Sequence, residues 1–524
     1  MANLRIGIDV GGTNTDAVLM KDKSILAWTK TPTTSDVSGG VNTALRSVLT
    51  DASVNTKDID VVMIGTTHFT NAFVEQRHLL EVGVIRIGLP AARDLPPMID
   101  WPDEIRDVIG HNVHMIGGGI EFDGRPIVPL DENALRFAVN DLKKKNIKTV
   151  AICSVFSPIS SDVELRAAEI ISSELPDVFI TLSHEIGRIG LLERENAAIM
   201  NASLASLSCE VMFAFSSAFQ SMGITAPIYI SQNDGTLMTK ETVEKYPVLT
   251  FASGPTNSMR GAAYLSNEKT AIVADIGGTT TDIGMLIDGF PRESSIVTDI
   301  GGVRTNFRMP DIQSIGIGGG SIVRVAHDLS IGPDSVGFLL THQAKIFGGQ
   351  TLTLTDIGVA SGRIVLGNPE NLRDIPSTVV EEVLEEVQLR ISESIDRMKS
   401  SAAEVPLILV GGGANLIDKT IPGISRVIVP EYADVANAVG AAIAEVSGEV
   451  DQVFRYSDVG RHNALEEARN EATEKAIAAG AKRDTIRIVD VEEIPIAYAP
   501  GDSIRVKVKA IGELLLGQCE AEES

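Results

Sequence analysis

Two short stretches set an acid, a glycine pair and a run of hydroxyl and amide side chains in the same order. The first is Asp9-Val10-Gly11-Gly12-Thr13-Asn14-Thr15-Asp16, and the second is Asp275-Ile276-Gly277-Gly278-Thr279-Thr280-Thr281-Asp282. Glycines without side chains let an anion reach the backbone N–H groups of Gly11, Gly12, Gly277 and Gly278. Thr13, Asn14, Thr15, Thr279 and Thr280 add side-chain donors. Asp9 and Asp275 repel phosphate but can hold Mg²⁺, directly or through water, and the ion can bridge to phosphate oxygens. Positioning and charge neutralisation are most of what phosphoryl transfer asks of a protein. In the first stretch an apolar strand leads into the turn and a strand pattern resumes after it, which predicts a β-hairpin. A dinucleotide-binding turn would open a helix instead, and no Gly-Lys pair of a Walker loop occurs anywhere in the chain.

Two further glycine clusters follow. Gly411-Gly412-Gly413-Ala414-Asn415 ends the apolar run Leu407–Val410, where bare backbone could take a flat adenine and ribose or simply form a strand-to-helix turn. Gly316-Ile317-Gly318-Gly319-Gly320-Ser321 comes after Arg304, Asn306 and Arg308, which could face phosphate, an anionic intermediate or solvent. The closest histidine pair, His111 and His114, fits a loop role better than a metal site.

These turns need strands to hold them. Apolar runs predict strands at Arg5–Val10, Val61–Gly65, Val82–Ile87, Thr149–Ser154, Ala271–Asp275 and Leu407–Val410, and three- and four-residue spacing predicts a helix over Val380–Met398. Another helix is predicted over Asp131–Lys145, with Asp131 at its N-cap. The repeat at close to half the chain's length suggests two similar lobes across a cleft. From about residue 450 a helix (His462–Ala479) and two strands (Thr485–Tyr498, Ser503–Ile511), joined by Ala-Pro-Gly-Asp, read as a small α+β appendage. The last strand alternates, with Ile504, Val506 and Val508 on one side. The expected divisions are 1–180, 181–450 and 451–524.

At 524 residues the chain has room for about three or four domains. With 44% hydrophobic and 22% charged residues it is an ordinary globular composition, and a net charge of −25 argues against nucleic-acid or anionic membrane partners. Cys153, Cys209 and Cys519 are far apart, which fits a reducing compartment and excludes a cysteine zinc site. No signal peptide or transmembrane run is read, so a cytoplasmic location is expected.

The paired D-x-G-G-T motifs and the later G-G-G-A resemble the phosphate and adenosine motifs of the actin-like ATPase superfamily. More narrowly, the chain resembles the ATP-dependent hydantoinase/5-oxoprolinase family, specifically its N-methylhydantoinase A-type subunit. Besides Ile8–Asp16 and Ala274–Asp282, the resemblance rests on Gly65-Thr66-Thr67-His68-Phe69-Thr70-Asn71-Ala72, Glu193-Arg194 with Asn201-Ala202, Ser253-Gly254-Pro255, and Gly318–Ser321. It covers about residues 3–450. Thr256-Asn257-Ser258 stand where Ala-Gly-Gly is usual in that family, and His68-Phe69 where small apolar residues are commoner.

The resemblance implies an α/β fold of duplicated actin-like (ribonuclease H-like) lobes around a nucleotide cleft, with the appendage added. It implies ATP-dependent opening of a small cyclic amide by phosphorylation of the amide oxygen, with ATP and Mg²⁺ as cofactors and a B-type or other second subunit completing hydrolysis in an oligomer. Asp9 and Asp275 are then assigned to metal and, with Thr13 and Thr279, to catalysis. Gly11, Gly12, Thr13, Asn14, Thr15, Gly277, Gly278, Thr279, Thr280, Gly318 and Gly319 are assigned to phosphate, and Gly411, Gly412, Gly413 and Asn415 to the nucleoside. Thr66, Thr67, His68 and Asn71 are expected on the substrate side, although His68 could instead only support its neighbours. Two other readings stay open: a small-molecule kinase, with Asp234 as its base, and a nucleotide-driven switch or reactivating chaperone.

Overall fold

In the computed structural model, which describes residues 3–33, 37–294, 297–325, 329–417, 420–496 and 503–516, three sheets carry the chain. The first has nine strands. Its order is Arg487–Pro495, Ser503–Gly512, Glu445–Arg455, Thr236–Thr239, Ile228–Ser231, Val61–Thr66, Leu4–Val10, Asn14–Lys21 and Ser24–Pro32. The second runs Phe290–Pro291, Thr281–Ile287, Ala271–Ile276, Val405–Val410 and Ile424–Ile428, with Ile312–Ile315 also paired to Thr281–Ile287. The third is a parallel sheet of Val113–Gly117, Val82–Leu89, Thr149–Ser154 and Phe179–Leu182, inserted between parts of the first.

The first two sheets repeat one local plan. Leu4–Val10 pairs antiparallel with Asn14–Lys21 and parallel with Val61–Thr66; Ala271–Ile276 pairs antiparallel with Thr281–Ile287 and parallel with Val405–Val410. Both sequence motifs are hairpins, each closed by the same bond: Gly11 N–H to Asn14 C=O (3.0 Å) and Gly277 N–H to Thr280 C=O (2.9 Å). Helices cover both faces of these sheets, which is why the strands read as continuous apolar runs. Ile6, Ile8, Ala17 and Leu19 enter one core, while Val18 and Met20 meet Ala438, Val439 and Ala442 on the other face.

Helix Ser377–Met398 turns Val380, Val383, Val387, Ile391, Ile395 and Met398 into the second core, as the spacing predicts. Asp131 caps helix Glu132–Lys144 by accepting the Ala134 N–H at 2.9 Å. Helices Ser253–Ser266 and Ala436–Ala442 pack against each other at glycine: a Cβ on Gly261 would strike the backbone of Ala436, and one on Gly440 that of Asn257. That close crossing places both helices directly behind the two hairpins.

The sheets divide the chain differently from 1–180, 181–450 and 451–524. Ile228–Ser231, Thr236–Thr239 and the C-terminal strands all extend the first sheet. Ser503–Gly512 is buried on both faces: Val506 and Val508 meet helix Arg461–Ala478, while Lys507 and Lys509 are 4% and 5% exposed on the other side. Burying those ammonium groups requires anions, and Glu492, Asp234 and Glu449 supply them. The Ala499–Asp502 connection, Tyr498 and Cys519 lie outside the described residues. Among the described residues, no single helix is long and apolar enough to cross a membrane.

Candidate nucleotide and metal site

The two hairpin tips meet. The hydroxyls of Thr13 and Thr279 are 3.4 Å apart, and a Cβ on Gly278 would sit 3.2 Å from the Thr13 methyl. Around this junction the backbone N–H groups of Gly12, Thr13, Gly278 and Thr279 meet no acceptor among the described residues, and Gly12, Thr279 and Thr280 are exposed. A facing pair of turns with free N–H groups and hydroxyls is a nest for an anion. Thr15 and Thr281 are buried instead: Thr15 Oγ1 lies 3.3 Å from Thr33 Oγ1, and Thr281 donates to Ile317 C=O at 2.6 Å, so they brace the turns. Asn14 opens the return strand, half-buried.

Both acids sit one strand below the tips. Asp9 is 4% exposed; its Oδ2 accepts from Asn437 Nδ2 at 3.0 Å, and the same nitrogen donates to Asp16 Oδ2 at 2.9 Å. Asp16 is in turn paired with Lys30 at 2.7 Å. Burial, then repulsion from Asp16, pushes Asp9 up to about 7, against the hydrogen bond from Asn437 and the influence of the nearby Asn257 amide, and the charge of Asp275 adds to the rise. Asp275 accepts from Ser258 Oγ at 2.5 Å; burial raises its carboxyl and that bond opposes the rise. Asp282, paired across the hairpin from Asp275, is pushed up to about 6 by burial, with Ser314 opposing and the charge of Asp275 adding.

The residues fit a magnesium ion. Among the described residues, Asp9 Oδ1 and the two polar atoms of the Asn257 carboxamide are buried outside hydrogen-bond geometry, and a Cβ on Gly65 would collide with Asp9 Oδ1 and with the Asn257 amide nitrogen. Oxygen donors with carboxylate charge suit Mg²⁺, which keeps water and phosphate as its remaining ligands. Among the described residues, no group of three or more His, Cys, Asp or Glu side chains forms a complete metal cage. Any ion held here therefore takes part of its shell from elsewhere.

Gly411 stands to Asp275 as Gly65 stands to Asp9: a Cβ there would strike Asp275 Oδ1, and its φ is +81°. Gly413 packs against Ile276, whereas Gly412 has nothing within 4 Å and Asn415 is exposed, which leaves those two facing open space. Gly318 and Gly319 lie behind the second hairpin. The N–H of Gly319 binds Gly277 C=O at 2.9 Å, that of Gly318 binds Ser321 Oγ at 2.8 Å, and that of Gly320 binds Gly278 C=O at 2.6 Å. These amides are taken by the protein, so the loop supports the second hairpin from behind.

Thr67 and Asn71 lie beside the first hairpin. Thr67 Oγ1 donates to Val10 C=O at 3.4 Å, Asn71 Nδ2 donates to Thr67 Oγ1 at 3.4 Å, and a Cβ on Gly12 would be 3.8 Å from Asn71 Nδ2. Thr66 is fully buried; its Oγ1 lies 3.1 Å from His68 Nδ1, and its backbone exchanges two bonds with Ser253. Burial lowers the pKa of His68, because desolvation disfavours the charged ring. The other motif residues are structural pins: Arg194 donates to the carbonyls of Arg188, Ile189 and Ser154 and to Ser183. Arg304, Asn306 and Arg308 engage Glu193, Gly190 and Glu449. His114 pairs with Asp141 and His111 with Asp107. Cys153 is buried, which pushes its thiol up to about 12.

Asp234 is unavailable as a base. It is bound to Lys509 at 2.6 Å and to Thr236 by two bonds; burial would raise its pKa, but Lys509 and Thr236 outweigh that and hold it far below the usual range. Sequence reasoning did not find Asn437, Asn257, Ser258, Lys30 or the place of Gly65. One signal for Asn437 and Ser258 was present: residues 258–263 read S-M-R-G-A-A and 437–442 read N-A-V-G-A-A, a second internal repeat.

Comparison with known proteins identifies the family and the fold. Residues 5–175 match the family model described as the hydantoinase/oxoprolinase N-terminal region, and residues 194–373 match the hydantoinase/oxoprolinase model. The caprolactamase subunit alpha of Pseudomonas jessenii is 28% identical over 391 residues, 69% of this chain and 55% of that protein. The acetophenone carboxylase gamma subunit of Aromatoleum aromaticum is 27% identical, over 70% of this chain and 53% of that one. The chain thus spans about half the length of these curated relatives. The solved ATP-dependent caprolactamase from Pseudomonas jessenii superposes with a TM-score of 0.77 at 21% identity, covering 98% of this chain and 88% of that one, which establishes the shared fold.

Proposed function

The chain belongs to the hydantoinase/oxoprolinase family, and from that premise we propose that it binds ATP with Mg²⁺ between its two hairpins and phosphorylates the amide oxygen of a small cyclic amide. The observation that carries this reading is the tip-to-tip meeting of Thr13 and Thr279, which gives one anion two sets of donors from two lobes. Amide resonance makes the carbonyl carbon a poor electrophile. Attack of the amide oxygen on the γ-phosphorus forms an O–P bond, breaks the bond to the β–γ bridging oxygen and releases ADP. Water can then add to the activated carbon, the ring C–N bond breaks to leave an acyl phosphate with a free amine, and a second water releases phosphate and the carboxylic acid.

In this reading Gly12, Thr13, Gly278 and Thr279 hold phosphate oxygens, and Thr280 lies at the exposed edge of the same nest. Gly412 and Asn415 face the nucleoside. Asp9 and Asp275 hold the ion, which when bound neutralises phosphate charge. Thr67 and Asn71, against the first hairpin, hold the acceptor molecule near the γ-phosphate. Water addition belongs to a second subunit.

The names of the relatives favour a second reading. A carboxylase subunit and a caprolactamase subunit share this chain's segment, so the same site could phosphorylate a ketone-derived enolate oxygen in an ATP-dependent carboxylation. The test is phosphate release from ATP over a panel of hydantoins, lactams and cyclic imides, and of ketones with bicarbonate, with and without the proteins encoded beside this gene. Stimulation by a cyclic amide, with a product heavier by one water, supports ring opening. Stimulation only by ketones moves the assignment to carboxylation, and a phosphorylated product that accumulates moves it to a kinase.

A further inference from the structure

The two crossing helices behind the hairpins share a leading polar residue followed by G-A-A, and each leading residue touches a hairpin acid. Ser258 begins S-M-R-G-A-A on helix Ser253–Ser266, and Asn437 begins N-A-V-G-A-A on helix Ala436–Ala442. Three residues on, Gly261 and Gly440 form the close crossing. Each leading polar side chain reaches the acid of a different hairpin: Asn437 Nδ2 donates to Asp9 Oδ2 at 3.0 Å, and Ser258 Oγ donates to Asp275 Oδ2 at 2.5 Å. The amide of Asn437 is oriented, because its Oδ1 accepts the Ala438 N–H at 2.8 Å, which turns the NH₂ group toward the carboxylates. Asn257, one residue before Ser258, is fully buried and lies against Asp9 Oδ1, with its carboxamide otherwise unpartnered.

We propose that Asn437 and Ser258 are equivalent positioning residues, one for each lobe, that aim Asp9 and Asp275 at a shared divalent cation, and that Asn257 links the second lobe's helix to the first lobe's acid. The inference rests on the reading of this site as a magnesium–nucleotide site. A carboxylate with one oxygen held by a fixed donor presents its other oxygen in one direction. Both helices hold the acids in this way, and the glycine crossing fixes the helices to one another. The separation of the acids is therefore set by the helix pair as well as by the hairpins. Loss of an outer-shell donor of this kind typically lowers metal affinity roughly 10–100-fold.

The experiment measures affinity for a non-hydrolysable ATP analogue with and without Mg²⁺, together with thermal unfolding, for the whole chain and for Ser258→Ala, Ser258→Thr, Asn437→Ala and Asn257→Ala. The expected result is a loss of roughly 10–100-fold in the Mg²⁺ concentration dependence of binding for Ser258→Ala and Asn437→Ala. Metal-free nucleotide binding and unfolding temperature stay as in the unaltered chain, and Ser258→Thr, which keeps the hydroxyl, restores the metal response. Asn257→Ala shifts the metal response in the same direction. An unchanged metal response in Ser258→Ala and Asn437→Ala overturns the proposal, as does an equal loss of metal-free binding and of stability. If the unaltered chain binds the analogue with no Mg²⁺ dependence at all, the reading of the site itself falls, and the proposal with it.

Discussion

The hydroxyls of Thr13 and Thr279 lie 3.4 Å apart, although 266 residues of chain separate them. This contact follows from two copies of one hairpin, each inside its own sheet, whose tips are turned toward each other. Anion recognition by such a pair is differential, since a phosphoryl group in transfer gains charge on oxygens that both tips can reach. Thr13→Ala and Thr279→Ala are each expected to lower ATP turnover on the order of 100-fold. Because Thr279 is exposed and Thr13 half-buried at a turn, stability should move by no more than about 0.5 kcal/mol. Phosphate release and urea unfolding on the same preparations check both halves; turnover within a few-fold of the unaltered chain in both variants would remove the tips from the chemistry.

Asp9→Asn and Asp275→Asn test the acids. Each substitution keeps the shape and one acceptor oxygen, replaces the other oxygen by an NH₂ donor and removes the charge a cation needs. Metal-dependent turnover should fall by more than the roughly 10–100-fold of an outer-shell change, while circular dichroism and unfolding remain those of a folded chain. Isothermal titration with Mg²⁺ and nucleotide separates loss of the ion from loss of the nucleotide. Full metal affinity in either variant would reassign that carboxylate.

Gly65 and Gly412 make a matched pair. A methyl on Gly65 meets Asp9 and Asn257 inside the packed junction, whereas one on Gly412 meets nothing within 4 Å. Gly65→Ala should therefore destabilise the chain by about 1–3 kcal/mol and abolish metal-dependent binding. Gly412→Ala should leave stability within about 0.5 kcal/mol and raise KM for ATP several-fold, since it adds bulk where the nucleoside is placed. Equal effects from the two substitutions would contradict that placement.

The hairpins, their strands and helix Ser377–Met398 were legible because each is specified locally: glycines at a turn, a continuous apolar run, a three-and-four spacing. Asp9 and Asp275 were legible for the same reason. Their partners were not. Asn437 and Ser258 sit in helices dominated by small residues, where a polar side chain reads as solvent-facing until the crossing helix is known. The amides of Gly318 and Gly319 pointed toward phosphate by composition, yet the Ser321 hydroxyl takes the first and the Gly277 carbonyl the second. The C-terminal strands were recognisable as strands, but nothing local in Ser503–Gly512 says that it lies beside Glu445–Arg455. Lys507 and Lys509 alternate with Val506 and Val508 as an exposed face would. Burial against acids contributed by other parts of the chain, Asp234 among them, reverses that pattern.

That reversal makes the ion pair of Lys509 and Asp234 the test of whether the C-terminal strands are integral to the first lobe. Both side chains are under a tenth exposed and 2.6 Å apart. Lys509→Met leaves Asp234 a buried, uncompensated charge and should destabilise the chain by about 3–5 kcal/mol. Asp234→Asn added to it should recover a large part of that loss. The pH dependence has a definite sign. Asp234 is held below its ordinary value of 3.8 in the folded state, so its contribution is fully present above that value and is lost as pH falls below it. In Lys509→Met the acid loses the partner that held it down, and burial raises it instead. Protonation then relieves the variant, and its deficit against the unaltered chain should shrink between pH 7 and pH 4. Urea unfolding across that range checks the sign. A deficit of a few tenths of a kcal/mol at pH 7, or one that grows as the solution is acidified, would mean that the C-terminal strands rest on the first sheet without being held by this pair.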